Sequence, residues 1–227
     1  YLIVWGTTLP ITRTPDAHFM TEARYRGQKV VVVSPDYSDH VKFADDWLPA
    51  QPGTDAALAM AMGHVMLKEF WVEREVPRFR DYGRRFTDLP LLVALDERDG
   101  AYVPGRFLMA ADIGDGGENA DWKPVVLDAA TGAPAVPNGS VGFRYGDEGR
   151  GRWNLGLGDI DPVLSLHGRH EEAVEVALPR FDIGDGPGGA AMRRGVPAVR
   201  VGGRLVTTVL DLMLATYGVA RDGMPGE

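Results

Sequence analysis

Three short stretches near the start of the chain carry residue types that suit an anionic, nucleotide-like ligand. Trp5-Gly6-Thr7-Thr8 offers hydroxyls and backbone N–H groups beside a glycine that permits close approach to the main chain. Ser34-Pro35-Asp36 carries a carboxylate able to accept from ribose hydroxyls or base N–H groups, and equally able to cap the following turn. Gln51-Pro52-Gly53-Thr54-Asp55 joins a turn to a second carboxylate, with the same ambiguity, because Thr-Asp is also ordinary helix-start chemistry. The first turn lacks the Gly-x-Gly-x-x-Gly spacing of a nicotinamide-dinucleotide site, so that class is disfavoured.

These stretches need elements that bring them together. Tyr1 to Trp5 reads as a buried strand, almost wholly apolar and rich in branched and aromatic residues. Thr14 reads as the cap of a helix running to about Tyr25, with Pro15 and Asp16 in its first turn and Gly27 ending it. Lys29 to Val33 is a second buried strand, His40 to Asp46 a short helix, and Trp47-Leu48-Pro49 a brief third strand. Thr54 then caps an Ala/Met-rich helix from Asp55 to about Phe70, apolar on nearly every face and so expected to be buried, with Met60, Met62 and Met66 as core filler.

Glu75 to Phe86 reads as another helix, whereas Leu89 to Leu95 fits a strand or the start of a buried helix equally well. Residues 96–150 change character, with Gly, Pro and Asp punctuating short apolar pieces. Hairpin turns are expected at Asp128 to Pro134 and at Val201-Gly202-Gly203-Arg204, and a last helix, capped by Thr207 or Thr208, through Tyr217 with Gly218 after it. The expectation is an α/β protein with a Rossmann-like, mostly parallel sheet flanked by helices. Its core comprises 1–95 and 196–220, and 96–195 form an irregular excursion with β-hairpins. The chain opens on Tyr1 in mid-strand, so a piece of a longer protein is expected.

Composition narrows the chemistry. A net charge of -8 disfavours a nucleic-acid surface, which needs clustered Lys and Arg. The absence of cysteine excludes thiolate zinc sites and Cys-ligated iron–sulfur clusters from this segment, and no apolar run is long enough for direct membrane insertion. His167 and His170 could meet at i, i+3 on a helix, but lack a third ligand; His18 and His64 read as packing or hydrogen-bonding residues. No catalytic residue and no metal ligand is assigned. Gly184 to Gly189 reads as a loop and not a phosphate cradle, and Asn138-Gly139-Ser140 as a turn.

In this order, TRTPDAH (Thr12 to His18), PGTDAAL (Pro52 to Leu58), DLPLLV (Asp88 to Val93), VPNGSVGFRYG (Val136 to Gly146) and LVTTVLDLMLATYG (Leu205 to Gly218) resemble the alpha subunit of respiratory nitrate reductase, within the molybdopterin oxidoreductase superfamily. The resemblance implies a domain gripping the guanine nucleotide half of a bis-molybdopterin guanine dinucleotide. Gly6, Thr7 and Thr8 would lie near the pyrophosphate, Ser34 and Asp36 near the ribose or guanine, and Gln51, Gly53 and Asp55 near the guanine edge. Where the family usually carries Asn, this chain has Thr8. The resemblance further implies a parent enzyme that reduces nitrate to nitrite at molybdenum, with this piece inactive alone. The parent would carry an iron–sulfur cluster outside this piece, and work with an iron–sulfur beta subunit and a membrane quinol-oxidising subunit in nitrate respiration. It would sit at the cytoplasmic face of the membrane, the extracytoplasmic face being the alternative. A stand-alone nucleotide-binding or assembly module, and another superfamily enzyme such as a nitrite oxidoreductase, are the competing readings.

Overall fold

The computed structural model describes residues 1–115, 117–138, 156–179 and 191–224. Asn138 aside, the expected turn at 138–140, the loop at 184–189 and most of the VPNGSVGFRYG stretch lie outside the described residues. The chain forms two compact units, Tyr1–Ala61 and Met62–Glu227.

The first unit alternates strands and helices. Strand β1 (Leu2–Trp5) is followed by a one-turn helix α1 (Leu9–Thr12), helix α2 (Thr14–Tyr25), strand β2 (Val30–Val33), a 3₁₀ turn at Val41–Phe43 and strand β3 (Asp46–Leu48). The three strands pair in parallel in the order β1-β2-β3, with Trp5 opposite Val33 and Val33 opposite Leu48. The four valines of β2 suit this central position because branched side chains pack well on a pleated surface covered on both faces. Val30, Val32 and Val33 are buried with Val4, Met20 and Val41. Each such side chain contributes about 1.5–3 kcal/mol on leaving water.

Local signals were read in the right place but not always in the right role. Thr14 does not cap α2; it lies inside the helix and its hydroxyl donates back to the carbonyls of Pro10 and Ile11. Pro10 starts α1 earlier than expected, and Thr8 takes the cap position there. Gly27 ends α2 at φ 92, a conformation that costs glycine little.

Helix α3 (Asp55–Leu67) continues into a π-helical turn at Lys68–Val72, followed by helix α4 (Pro77–Phe86). The expectation that α3 is buried all round is corrected here. Among its residues only Leu67 is buried; Met62 and Met66 are 40% and 50% exposed and so are not core filler, and Met60 is half-buried. With apolar residues on every face, the sequence alone carries no preferred inward direction.

The second unit contains β4 (Leu92–Arg98), β5 (Ala101–Phe107), β6 (Val126–Leu127), β7 (Pro134–Ala135), β8 (Glu172–Leu178), β9 (Met192–Val201), β10 (Arg204–Thr208) and helix α5 (Val209–Thr216). Five of the strands close into a barrel, β10-β4-β5-β8-β9, antiparallel except where β5 meets β8. This corrects the expected sheet: the parallel sheet has three strands and the larger sheet is a closed, mainly antiparallel one, so the architecture is mixed α/β. The barrel joins strands from both sides of positions 95 and 195, within the unit Met62–Glu227.

Closure leaves no free strand edge, and a bulge helps bend the wall. Val93 pairs with Phe107 but Leu95 with Pro104, so β5 carries one residue more than β4 there, next to a proline that cannot donate to the ladder. Both expected hairpins occur. β6 and β7 pair across Asp128 to Ala133, and β9 and β10 across Gly202 and Gly203, both at positive φ as a two-residue primed turn requires. Thr208 caps α5, accepting from the Asp211 backbone N–H, and Gly218 follows the helix at φ 65.

Candidate functional site

Because β1, β2 and β3 run parallel and end in register at Trp5, Val33 and Leu48, the segments that leave them emerge on one edge of the sheet. Those segments are Gly6 to Thr8, Ser34 to Asp36 and Pro49 to Asp55, which together carry all eight residues singled out in the sequence. Such an edge is where a parallel α/β sheet accepts ligands, since strand carboxyl ends and helix amino ends leave unpaired N–H groups there.

A direct bond ties the first and third segments together. The Trp5 indole Nε1–H donates to Asp55 Oδ1 at 2.6 Å. Indole is a donor only, so the bond engages one carboxylate oxygen, and it links the end of β1 to the first residue of α3. The second segment is braced by its own side chains. Ser34 Oγ donates to the Asp36 carbonyl and to Asp36 Oδ1, both at 2.9 Å, and the Trp47 indole N–H donates to the Ser34 carbonyl at 2.9 Å. Asp36 therefore closes a turn with the preceding Ser34, and its carboxylate does not cap the turn that follows. It is exposed, so this does not remove it from reach of a ligand.

The remaining members are arranged by the backbone. Thr8 contributes its carbonyl to the Ile11 and Thr12 N–H groups, and its hydroxyl makes no capping bond. Thr7 Oγ1 lies 3.3 Å from Thr12 Oγ1. Gln51 accepts from Thr54 through its carbonyl and exposes its side chain. Gly6 and Gly53 sit at φ 67 and φ 88, and open space surrounds the position a Cβ would take at each. These two glycines are thus backbone that a ligand can approach closely.

Sequence reasoning missed the aromatic part of this edge. Tyr37 is 65% exposed and stands edge-on to Trp47, ring centroids 5.3 Å apart at 84°. The available signal was a large aromatic residue beyond the end of the second strand, Tyr37, and another within the third, Trp47. At the opposite end of the strands the polar chemistry is consumed internally. Asp45 accepts from the Val30 N–H at 2.8 Å and pairs with Arg24 and Lys29, which together hold its carboxyl below the usual range.

The histidines follow the bland expectation. His18 meets Glu22 on the surface, and His64 Nδ1 lies 2.7 Å from the Tyr217 carbonyl oxygen. His167 and His170 do come together, stacked with centroids 6.0 Å apart, but in a turn and not on a helix. Among the described residues no group of three or more His, Cys, Asp or Glu could hold a metal ion.

Comparison with known proteins adds the family. Residues 1–205 match the molybdopterin oxidoreductase family model. The chain is 57% identical to a nitrate reductase alpha subunit of Mycobacterium tuberculosis over 232 aligned residues, covering 100% of this chain and 19% of that protein. It is 46% identical to respiratory nitrate reductase 1 alpha chain of Escherichia coli, covering 97% and 19%, and 34% identical to perchlorate reductase subunit alpha of Dechloromonas aromatica, covering 87% and 22%. The chain thus spans about a fifth of the length of the curated relatives it matches. With the match to residues 1–205 running through both compact units and taking in all three strand-exit segments of the first, the chain belongs to the molybdopterin oxidoreductase family.

Proposed function

We propose that the first unit holds the guanine nucleotide part of a molybdopterin guanine dinucleotide, as a Rossmann-like segment of a nitrate reductase catalytic subunit. The observation that carries this reading is the register of the three parallel strand ends, which brings all eight candidate residues to one edge. The residues fit the group. Gly6 and Gly53 leave room beside the main chain, the hydroxyls of Thr7 and Thr8 can donate to a pyrophosphate, and Ser34 with Asp36 suits ribose hydroxyls. Asp55, one oxygen held by Trp5, offers the other to the N–H groups of a guanine edge, with Gln51 beside it. When bound, the cofactor supplies the molybdenum chemistry of the parent, a two-electron reduction of nitrate to nitrite. This chain's part is to bind and orient the nucleotide tail; none of its described residues is assigned a catalytic role.

The parent complex, on this reading, receives electrons through an iron–sulfur beta subunit and a membrane quinol-oxidising subunit, and sits against the cytoplasmic face of the membrane through them. No helix among the described residues is long and apolar enough to cross a membrane. A second reading, another oxyanion as the parent's substrate, is favoured by the 34% identity to a perchlorate reductase subunit. The nucleotide-holding role is common to both.

The test is the Asp55→Asn substitution in the full-length protein, read by guanine nucleotide released on acid hydrolysis, per mole of protein. Loss of one charge-assisted base contact is worth about 1.5–3 kcal/mol, so nucleotide content should fall clearly below wild type. Unchanged content and affinity would overturn the assignment.

A further inference from the structure

Exposed apolar surface is unevenly placed in the second unit. Among the described residues, 92–224 leave one large apolar side chain open to solvent, Trp122, whereas the helical stretch 62–86 leaves seven. Helix α3 carries three of these, and its composition is the source of the asymmetry. Between Asp55 and Lys68 the one polar side chain is that of His64. A helix apolar all round is a helix built to be covered on every side.

The second unit covers one side only. A Cβ at Gly63 would run into the Tyr217 ring, so glycine lets α3 lie close against the residue that follows α5. His64 Nδ1 lies 2.7 Å from the Tyr217 carbonyl oxygen, and Leu67, 2% exposed, packs with Leu89, Leu210 and Leu214. These contacts fix the roll of the helix. Met62, Val65 and Met66, at i, i+3 and i+4, consequently form one stripe outside that contact, 40%, 49% and 50% exposed. The stripe is bounded at its far end, where the Arg74 guanidinium stands 5.2 Å from the centre of the Phe70 ring.

We propose that this stripe is an internal docking face, covered in the parent protein by an apolar segment of the same polypeptide lying outside these 227 residues. The inference rests on reading the chain as a segment of a larger catalytic subunit, and needs nothing from the nucleotide site. The chain spans 19% of the length of the Mycobacterium tuberculosis relative, so a parent of that length has ample chain to supply the cover. Size favours a covalently continuous occupant. The stripe exposes on the order of 300 Å², against roughly 800 Å² per partner where separate proteins associate stably. A segment of the same polypeptide escapes most of the translational and rotational loss that makes so small a contact inadequate between free molecules. Its contacting surface is apolar, because α3 offers no charge there and its one polar side chain already meets Tyr217.

The test is photo-cross-linking of the full-length protein, grown with a diazirine analogue of methionine and mixed in equal parts as isotopically heavy and light material, with linked peptides mapped by mass spectrometry. Met62 and Met66 should link to residues of the same polypeptide beyond these 227, without heavy–light pairs. Val65→Asp should lower the unfolding midpoint of the full-length protein, and Arg193→Gln, at a surface pair with Glu175, should leave it in place. Links confined to these 227 residues, heavy–light pairs, links to another subunit, reaction with water alone, or an unchanged midpoint in Val65→Asp would each overturn the proposal. Guanine nucleotide content is read on the same preparation. Nucleotide present without the expected links sinks this proposal alone, and the expected links without nucleotide sink only the nucleotide assignment.

Discussion

The two units treat polar chemistry in opposite ways. In Tyr1–Ala61 the carboxylates of Asp36 and Asp55 stand at an exposed sheet edge, braced by one bond each. In Met62–Glu227 the barrel buries its own. Thr207, Thr208 and Asp211 are 0% exposed, and Asp211 ties α5 to Arg221, Ser165 and the Leu166 N–H. An exposed edge leaves lone pairs and N–H groups for a ligand, at little cost to the fold. A buried network must satisfy every member, and then fixes which loops can approach which helix.

If that contrast is sound, Asp211→Ala gives the largest loss. It strands the Arg221 guanidinium in a site only 4% exposed and removes the acceptor for Ser165, Thr208 and Leu166. Breaking a buried pair costs about 3–5 kcal/mol, readable by urea unfolding, and a loss below 1 kcal/mol would break the comparison.

Asp112 lies between the extremes. Its carboxylate accepts both nitrogens of the Arg106 fork and the Met109 N–H. The hydrogen-bonded Arg106 guanidinium holds its carboxyl below the ordinary 3.8. The stability it contributes is therefore complete above that ordinary value and is lost as pH falls from there through the lowered one. Asp112→Asn should cost about 1 kcal/mol at neutral pH and flatten the acid limb of the stability profile. An acid limb identical to wild type would remove Asp112 from this role.

The smallest effect is expected at the open edge. Trp5→Phe deletes the donor to the Asp55 carboxylate, which solvent can replace, so unfolding stability should change by less than about 1 kcal/mol. In the full-length protein the same change should lower retained guanine nucleotide, because Asp55 loses its anchor. A large stability loss with nucleotide content intact would reverse the roles assigned to these two regions.

The first unit was largely legible in the sequence because its contacts are local. Leu2 to Trp5 and Val30 to Val33 are continuous apolar runs bounded by turn residues, and the helix between them returns the chain to a neighbouring parallel strand. That the eight candidate residues share one sheet edge was legible for the same reason, each following a readable strand or preceding a readable helix. The Trp5–Asp55 bond was not, since 50 positions separate the partners and no periodicity links them.

The barrel was legible only in pieces. The Gly202-Gly203 hairpin and the Thr208 cap are local devices and were read directly. Leu89 to Leu95 stayed ambiguous because a short apolar run fits a strand or a buried helix alike, and the pairing of Val93 with Thr207, far along the chain, settles it. The burial of α3 was misjudged because uniform apolarity carries no direction.

By itself, then, the sequence determined the short-range elements of this protein: where strands end, where chains turn and, at Thr208 though not at Thr14, which residue caps a helix. Those depend on φ/ψ preferences and on hydrogen bonds between near neighbours. Tertiary structure alone decided that five distant strands close into a barrel and that Asp211 meets Arg221 out of water. Those outcomes follow from pairing edges and burying surface across long sequence separations, where no local pattern distinguishes one partner from another.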